Sequence, residues 1–459
     1  MKKIVLSVLL VAGLCLTAQA TSDSWKLDAA GVWTNPASWT GGNVPGITNG
    51  TTSTDVATFA VTLTTNRVVT VDANRNIAGI TFQNAANKPG TNNSTTVGYT
   101  LSGGTINLSN GGLIQVLAEA VAGTGTNNTT VASPIVIQGD GGSATIKNDS
   151  SSGASGLLIT GTISGNSTAG NTTTLTLEGT SPATGIGATA RNNTVAIISD
   201  GTNGGNLKVV KNGTGLWTMG VASTFTGGLD INGGTIRYFG SSSIGLGRGL
   251  ITIGSAGATL NHANSAFFTT TNDFLFNGNL TLAGAANFIF SGAMNLNAGV
   301  RTITVNANTN TTLLGTISNG SFIKAGADPL TLSGSNTYSG ATTISAGELI
   351  ANADHVFSGT TNITVAGAAT LTLKNGVLND YIGKNAKLVL NSTAILNLNF
   401  TGADTIGGLS LDGGTTWIPN GTYTAAQLDA LPGATVNGGA SASLTVGAKV
   451  LRLIGITSP

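Results

Sequence analysis

The segment Asn212 to Gly240 (NGTGLWTMGVASTFTGGLDINGGTIRYFG) recurs without a gap as Ala325 to Ala353 (AGADPLTLSGSNTYSGATTISAGELIANA). In register, Gly213 meets Gly326, Trp217 meets Leu330, Met219 meets Leu332, Phe225 meets Tyr338, Gly227 meets Gly340, Ile231 meets Ile344, Gly234 meets Gly347 and Ile236 meets Leu349. Apolar residues alternate over three or four positions and then stop at Gly, Asn or Ser, which spells short strand, turn, short strand. A unit that small cannot bury its apolar face alone, so it must stack on like units.

Similar alternations run through the middle of the chain, at Tyr99–Leu101, Leu113–Val116, Ile135–Ile137, Ile159–Ile163, Leu175–Leu177, Leu207–Val209, Leu250–Ile253, Leu280–Leu282, Ile303–Val305, Leu313–Ile317 and Ile363–Val365. The echo GTIS at Gly161–Ser164 and Gly315–Ser318 suggests that the repeat extends beyond its two best copies. Three short strands for every ~22 residues fit a coil whose turns hydrogen-bond about 4.8 Å apart, giving ~20 turns and a rod of ~95 Å. Inward Leu, Ile and Val stack on their equivalents one turn away, outward positions take Thr, Ser and Asn, and corners need Gly or small residues. Corner asparagines can ladder their amides between turns.

Residues 1–20 carry Lys2, Lys3, an apolar run and Ala18-Gln19-Ala20, the pattern of a secretory signal peptide. Cleavage there removes the only cysteine, Cys15, and with it disulfide and thiolate chemistry; a lipidated Cys15 is the alternative, with the bulky Leu14 against it. Charged residues make up 8% of the chain and the formal net charge is +1, so clustered cations for nucleic acid or anionic lipid are missing. The chain divides into 1–20, a Trp-rich cap and first turns over 21–84, solenoid repeats over 85–375, and C-terminal turns with a cap over 376–459. Trp25, Trp33 and Trp39 sit together at the N-terminal end, either closing the first turn of the core or forming a carbohydrate-stacking platform. Trp417, Pro419 and the mildly helical Ala425–Leu431 look like devices that stop strand addition at the other end.

The block Leu330–Ala353 closely resembles the autotransporter-associated β-strand repeat, also called the passenger-associated transport repeat. Leu330, Leu332, Gly334, Asn336, Thr337, Tyr338, Gly340, Thr342, Ile344, Gly347 and Leu349 sit where that repeat places them, and 212–240 is a degenerate second match. The resemblance implies an all-β, right-handed parallel β-solenoid (β-helix) with terminal caps, exported and often displayed on a Gram-negative-type cell. Self-exporting proteins carry a C-terminal barrel of at least eight amphipathic strands. The residues after the last repeat are too few for one, so a separate secretion machinery is expected.

Solenoids can also be polysaccharide-cleaving enzymes, which need carboxylates converging on one face. The acidic side chains here are scattered, with Glu119, Glu178 and Glu348 as the glutamates and no Asp-Asp or Asp-x-Asp pair. The nearest cluster is Asp354-His355, to which Asp328 and Glu348 could be added from neighbouring turns; the preferred reading is a polar corner. His262 has no nearby acidic partner for a metal, and Asp404 and Asp412 read as turn caps. Gly245-Leu246-Gly247-Arg248-Gly249 and Gly123-Thr124-Gly125 lack the helix a phosphate loop requires. No catalytic, cofactor or metal site is assigned. The expectation is a secreted or surface, non-enzymatic structural or adhesive rod, with glycans, extracellular matrix or further copies as partners; the periplasm is the other destination. The alternatives are a polysaccharide-active β-helix enzyme and a head-to-tail extracellular fibre subunit.

Overall fold

The computed structural model describes residues 21–50, 52–83, 97–118, 128–151, 155–182, 193–220, 223–238, 243–262, 268–285, 287–306 and 311–447. The expected signal peptide with Cys15, and Glu119 and Gly123–Gly125, lie outside them.

The backbone coils into a parallel β-solenoid with three columns of strands. The second column is unbroken over sixteen strands, from Gly31–Val32 through Arg67–Val71, Thr235–Tyr238, Leu280–Gly284 and Thr342–Ile344 to Gly408–Ser410. The first column begins at Asp23–Trp25 and includes Ser143–Asn148 and Leu229–Ile231. The third includes Ile135–Ile137 and, further along, Phe268–Thr270, Leu330–Leu332 and Ile395–Asn399. Sixteen strands at about 4.8 Å make a stack of ~72 Å, shorter than the sequence pattern suggests. Leu113 sits over Gly79 and Thr145 over Leu113, turns of 34 and 32 residues, whereas Leu229 over Val209 closes a turn of 20. Residues 84–96 and 119–127 of these two longer turns lie outside the described residues.

Alternation along the strands sends aliphatic side chains inward: Leu280 and Leu282 are buried in Leu280–Gly284, and Leu330 and Leu332 in Leu330–Leu332. Ile251, Phe274 and Met294 form one such line, one residue per turn, each at most 1% exposed. Two expected segments are split. Ile159 ends one strand and Ile163 begins the next, and the same holds for Leu313 and Ile317, with Gly161 and Gly315 at the corners. These GTIS corners are not equivalent: Ile163 stacks on Ile135 in the third column and Ile317 on Met294 in the first.

The duplicated segment is likewise rotated. Leu229–Ile231 lies in the first column, yet its equivalent Thr342–Ile344 lies in the second; Leu216–Met219 lies in the second and its equivalent Leu330–Leu332 in the third. The copies are therefore out of phase by one column, so the repeat encodes strand and corner geometry and not a particular side of the coil.

Both ends are closed. At the N-terminal end the Trp25–Trp39 and Ile47–Asn76 bridges run antiparallel to the first turn. The rings of Trp25 and Trp33 each pack 5.2 Å from Trp39, and all three surround Phe59. Their N–H groups donate to Leu27, Pro45 and Trp33 carbonyls. With exposures of 1%, 0% and 0% they cap the core, and a stacking platform, which needs open rings, is not formed. At the C-terminal end Gly421–Thr424 pairs antiparallel to Ala442–Val446, the Ile418 N–H donates to Leu409 O, and the Asp429 carboxylate accepts the Val436 N–H. The helix is shorter than the apolar pattern, Ala425–Asp429, with Thr424 and Gln427 forming a capping box.

Removing one of the capping rings should open a cavity that nothing can fill. Trp39→Ala is expected to cost about 3–5 kcal/mol in urea unfolding; a loss below about 1 kcal/mol would show that the cluster does not close the core.

Candidate functional site

The corners are where polar groups gather, and two of the acidic candidates, Asp354 and Asp412, hold backbone there. Asp354 accepts the N–H groups of Val377 and Leu378 on Oδ2 and of Asp380 on Oδ1, pinning the next corner. Burial would raise its carboxyl, but the N–H groups of Leu378, Asp380 and Val377 outweigh that and hold it below the usual carboxylate range. His355, in the left-handed region with φ 62°, places Nδ1 3.4 Å from Asp380 Oδ2. Glu348 accepts the Thr372 hydroxyl one turn on. The charges of Asp328 and Glu348 act on Lys324, whereas the charge that acts on Asp354 is that of His355.

Asp412 behaves as expected of a turn cap: Oδ1 accepts the Thr416 N–H and the Ser410 hydroxyl, both at 2.8 Å. Asp404 does not. It lies within the strand Gly402–Ile406, 1% exposed, where Oδ2 accepts the Ile382 N–H at 3.2 Å and Oδ1 has no partner. Burial pushes its carboxyl up to about 8, the Asp380 charge adds to the rise, and the N–H groups of Ile382 and Thr405 only partly offset it. A protonated acid sealed from solvent has no route to a substrate. His262 is fully buried among Tyr238, Phe268 and Phe288, a core residue. Among the described residues no group of three His, Asp or Glu side chains is placed to hold a metal ion, and no helix is long and apolar enough to cross a membrane.

Hydrophobic patterning misses two residues, Lys211 and Lys324, each standing immediately before one copy of the duplication. Both side chains are buried, with 0% exposure. Lys211 Nζ donates to the carbonyls of Asn212 and Gly213 in its own turn and of Gly233 in the next, at 2.7, 2.8 and 3.2 Å. Lys324 Nζ does the same with Gly326 and Ala346, at 2.7 and 2.9 Å. Gly213 is equivalent to Gly326 and Gly233 to Ala346, so the two ammonium groups clamp the same pair of corners. Gly234 and Gly347, with φ 69° and 66°, make room, since a Cβ there would lie 2.8 Å from the ammonium. Burial pushes both amines down to about 8, with Glu178 pulling Lys211 back up and Asp328 and Glu348 doing so for Lys324. Extending the alignment by one residue would have revealed the pair.

Elsewhere amides tie turn to turn. Asn107, Gln138, Asn166 and Asn203 form a ladder with bonds of 3.1, 3.0 and 2.7 Å. Asn212–Asn232, Asn277–Asn297 and Asn352–Asn375 repeat it. Between these corners the outward positions are small and neutral, as in the line Thr259, Thr281, Thr304.

Against known proteins, a family model for the passenger-associated transport repeat matches residues 209–237 and 322–351, the segments that contain the two lysine clamps. No curated protein and no solved structure matches the chain.

Two substitutions test this electrostatic picture. Lys324→Met should leave buried carbonyls without their donor and cost about 1–3 kcal/mol by urea unfolding; a more stable variant would mean that burying the ammonium outweighs its bonds. The Asp404 carboxyl lies above its ordinary 3.8 in the folded chain, so the folded state holds an extra proton between about pH 4 and 8 and stability falls as pH rises through that window. Asp404→Asn cannot lose a proton. It should match the parent at pH 4 and exceed it by at least about 1 kcal/mol at pH 8; equal stability at both would place a charged carboxylate there.

Proposed function

We propose that this passenger-repeat solenoid is an exported, non-enzymatic rod that works through its sides as a structural or adhesive element. The observation that carries the reading is the unbroken sixteen-strand column in a coil that carries a cap at each described end, with neutral outward lines such as Thr259, Thr281 and Thr304. A long, rigid, weakly charged surface offers many weak hydrogen-bonding contacts to an extended partner, such as a glycan or matrix fibre, and avidity supplies the strength. Commitment of Asp354 and Asp412 to turns and burial of Asp404 support a role without catalysis, since acid/base work needs a carboxyl free to meet substrate. The antiparallel caps favour a single rod over a head-to-tail fibre, because they interrupt the parallel register that another turn would continue. Export and surface display are what the repeat is associated with, and they complete the proposal.

Protease treatment of intact cells is expected to degrade the protein while a periplasmic marker survives, and the purified chain should release no reducing ends from neutral or acidic polysaccharides. Complete protection in intact cells would overturn surface display, and measurable sugar release would overturn the non-enzymatic reading.

A further inference from the structure

Trp25, Trp33, Trp39 and Trp217 are at most 1% exposed; Trp417 is 42% exposed. It lies on the segment that closes the second column, beside Ile418, whose N–H donates to Leu409 O. The indole packs against Gly408, where a Cβ would come within 3.2 Å of the ring, and the Lys387 ammonium lies 5.1 Å from the ring centroid. The open part of Trp417 lines a cleft of about 430 Å³ together with Ile418, Pro419, Tyr423, Leu431 and Pro432. Asp412 and Thr416 contribute polar atoms to the same cleft.

Closing a strand edge requires only the backbone N–H of Ile418. A tryptophan left 42% exposed there carries an apolar cost that a smaller residue would avoid. An open concavity with aromatic and proline walls and a few polar groups is the ordinary form of a ligand site, and this one falls within the usual size range of about 300–1,000 Å³. Charge narrows the ligand. The Thr416 N–H, its hydroxyl and the Ser410 hydroxyl hold the Asp412 carboxyl down at about 2, so it is ionised at neutral pH. Lys387 lies over the same indole but does not line the cleft, so the one charged side chain lining it is the anionic Asp412, which repels acidic ligands and accepts from hydroxyl donors. A flat neutral molecule with one apolar face and a rim of hydroxyls fits both features. Its C–H face meets the negative face of the indole, and its hydroxyls donate to Asp412.

We propose that the Trp417 cleft is a subsite for a neutral glycan, with a pyranose ring stacked on Trp417 and its hydroxyls taken by Asp412 and Thr416. The proposal rests on the adhesive reading and names its ligand class. It is tested with the full chain by affinity electrophoresis in gels containing laminarin, xylan, galactomannan or dextran, with polygalacturonate as the charged control. At least one neutral polymer should retard the protein, and the same polymer should shield the exposed tryptophan from acrylamide quenching. Trp417→Ala should weaken retardation by about tenfold or more, the loss of a stacking contact. Leu431→Arg, at the rim and clear of the indole's packing on Gly408, should do likewise without lowering the melting temperature. Retardation by none of the neutral polymers, or by polygalacturonate alone, overturns the proposal. Retardation that survives both substitutions also overturns it, while leaving adhesion through the sides of the rod standing.

Discussion

Parallel pairing between successive turns is the constraint on which this molecule depends. In a coil of this kind each strand finds its backbone partners above and below, never within its own turn, so no turn is satisfied alone. Two consequences follow directly. The stack must continue in register through all sixteen strands of the second column, and its two end turns must be paired by something that is not another turn. The antiparallel bridges at Trp39 and Ile47 and the antiparallel strand Gly421–Thr424 meet that need. The aromatic cluster around Phe59 then covers the apolar interior that the first turn would otherwise leave open.

Corners pose the opposite problem, because the chain must turn from one column to the next and its polar groups there leave the strand ladder. Two solutions coexist. At outer corners, amide ladders such as Asn107 to Asn203 let neutral side chains bond from turn to turn at no charge cost. At two inner corners, Lys211 and Lys324 place an ammonium among converging carbonyls, where low dielectric strengthens each bond but burial works against the charge. Both recur at equivalent positions of the duplication. The clamp is thus a property of the repeat and not an accident of one turn.

Some carboxylates hold corners, as Asp354 and Asp412 do, and others pair with cations along the faces, as Asp149 does with Lys147 and Asp230 with Lys208. The C-terminal cap differs in leaving Trp417 and its cleft open, which makes it the most chemically distinct surface described on the rod.

The sequence by itself determined the architecture: alternation broken by Gly and Asn, and a duplicated unit too small to stand alone, leave stacking as the physical outcome. It also marked the N-terminal cap, because three tryptophans crowded into Trp25–Trp39 fall outside the repeating alternation. Only the tertiary structure decided the phase of the repeats, since a threefold coil lets the same segment occupy any column, and Ile231 and Ile344 stack in different ones. It likewise decided the fate of each polar residue. Asp404 and Asp412 look alike as letters, yet one is sealed inside a strand and the other caps a turn, because burial is set by neighbours far away in the chain.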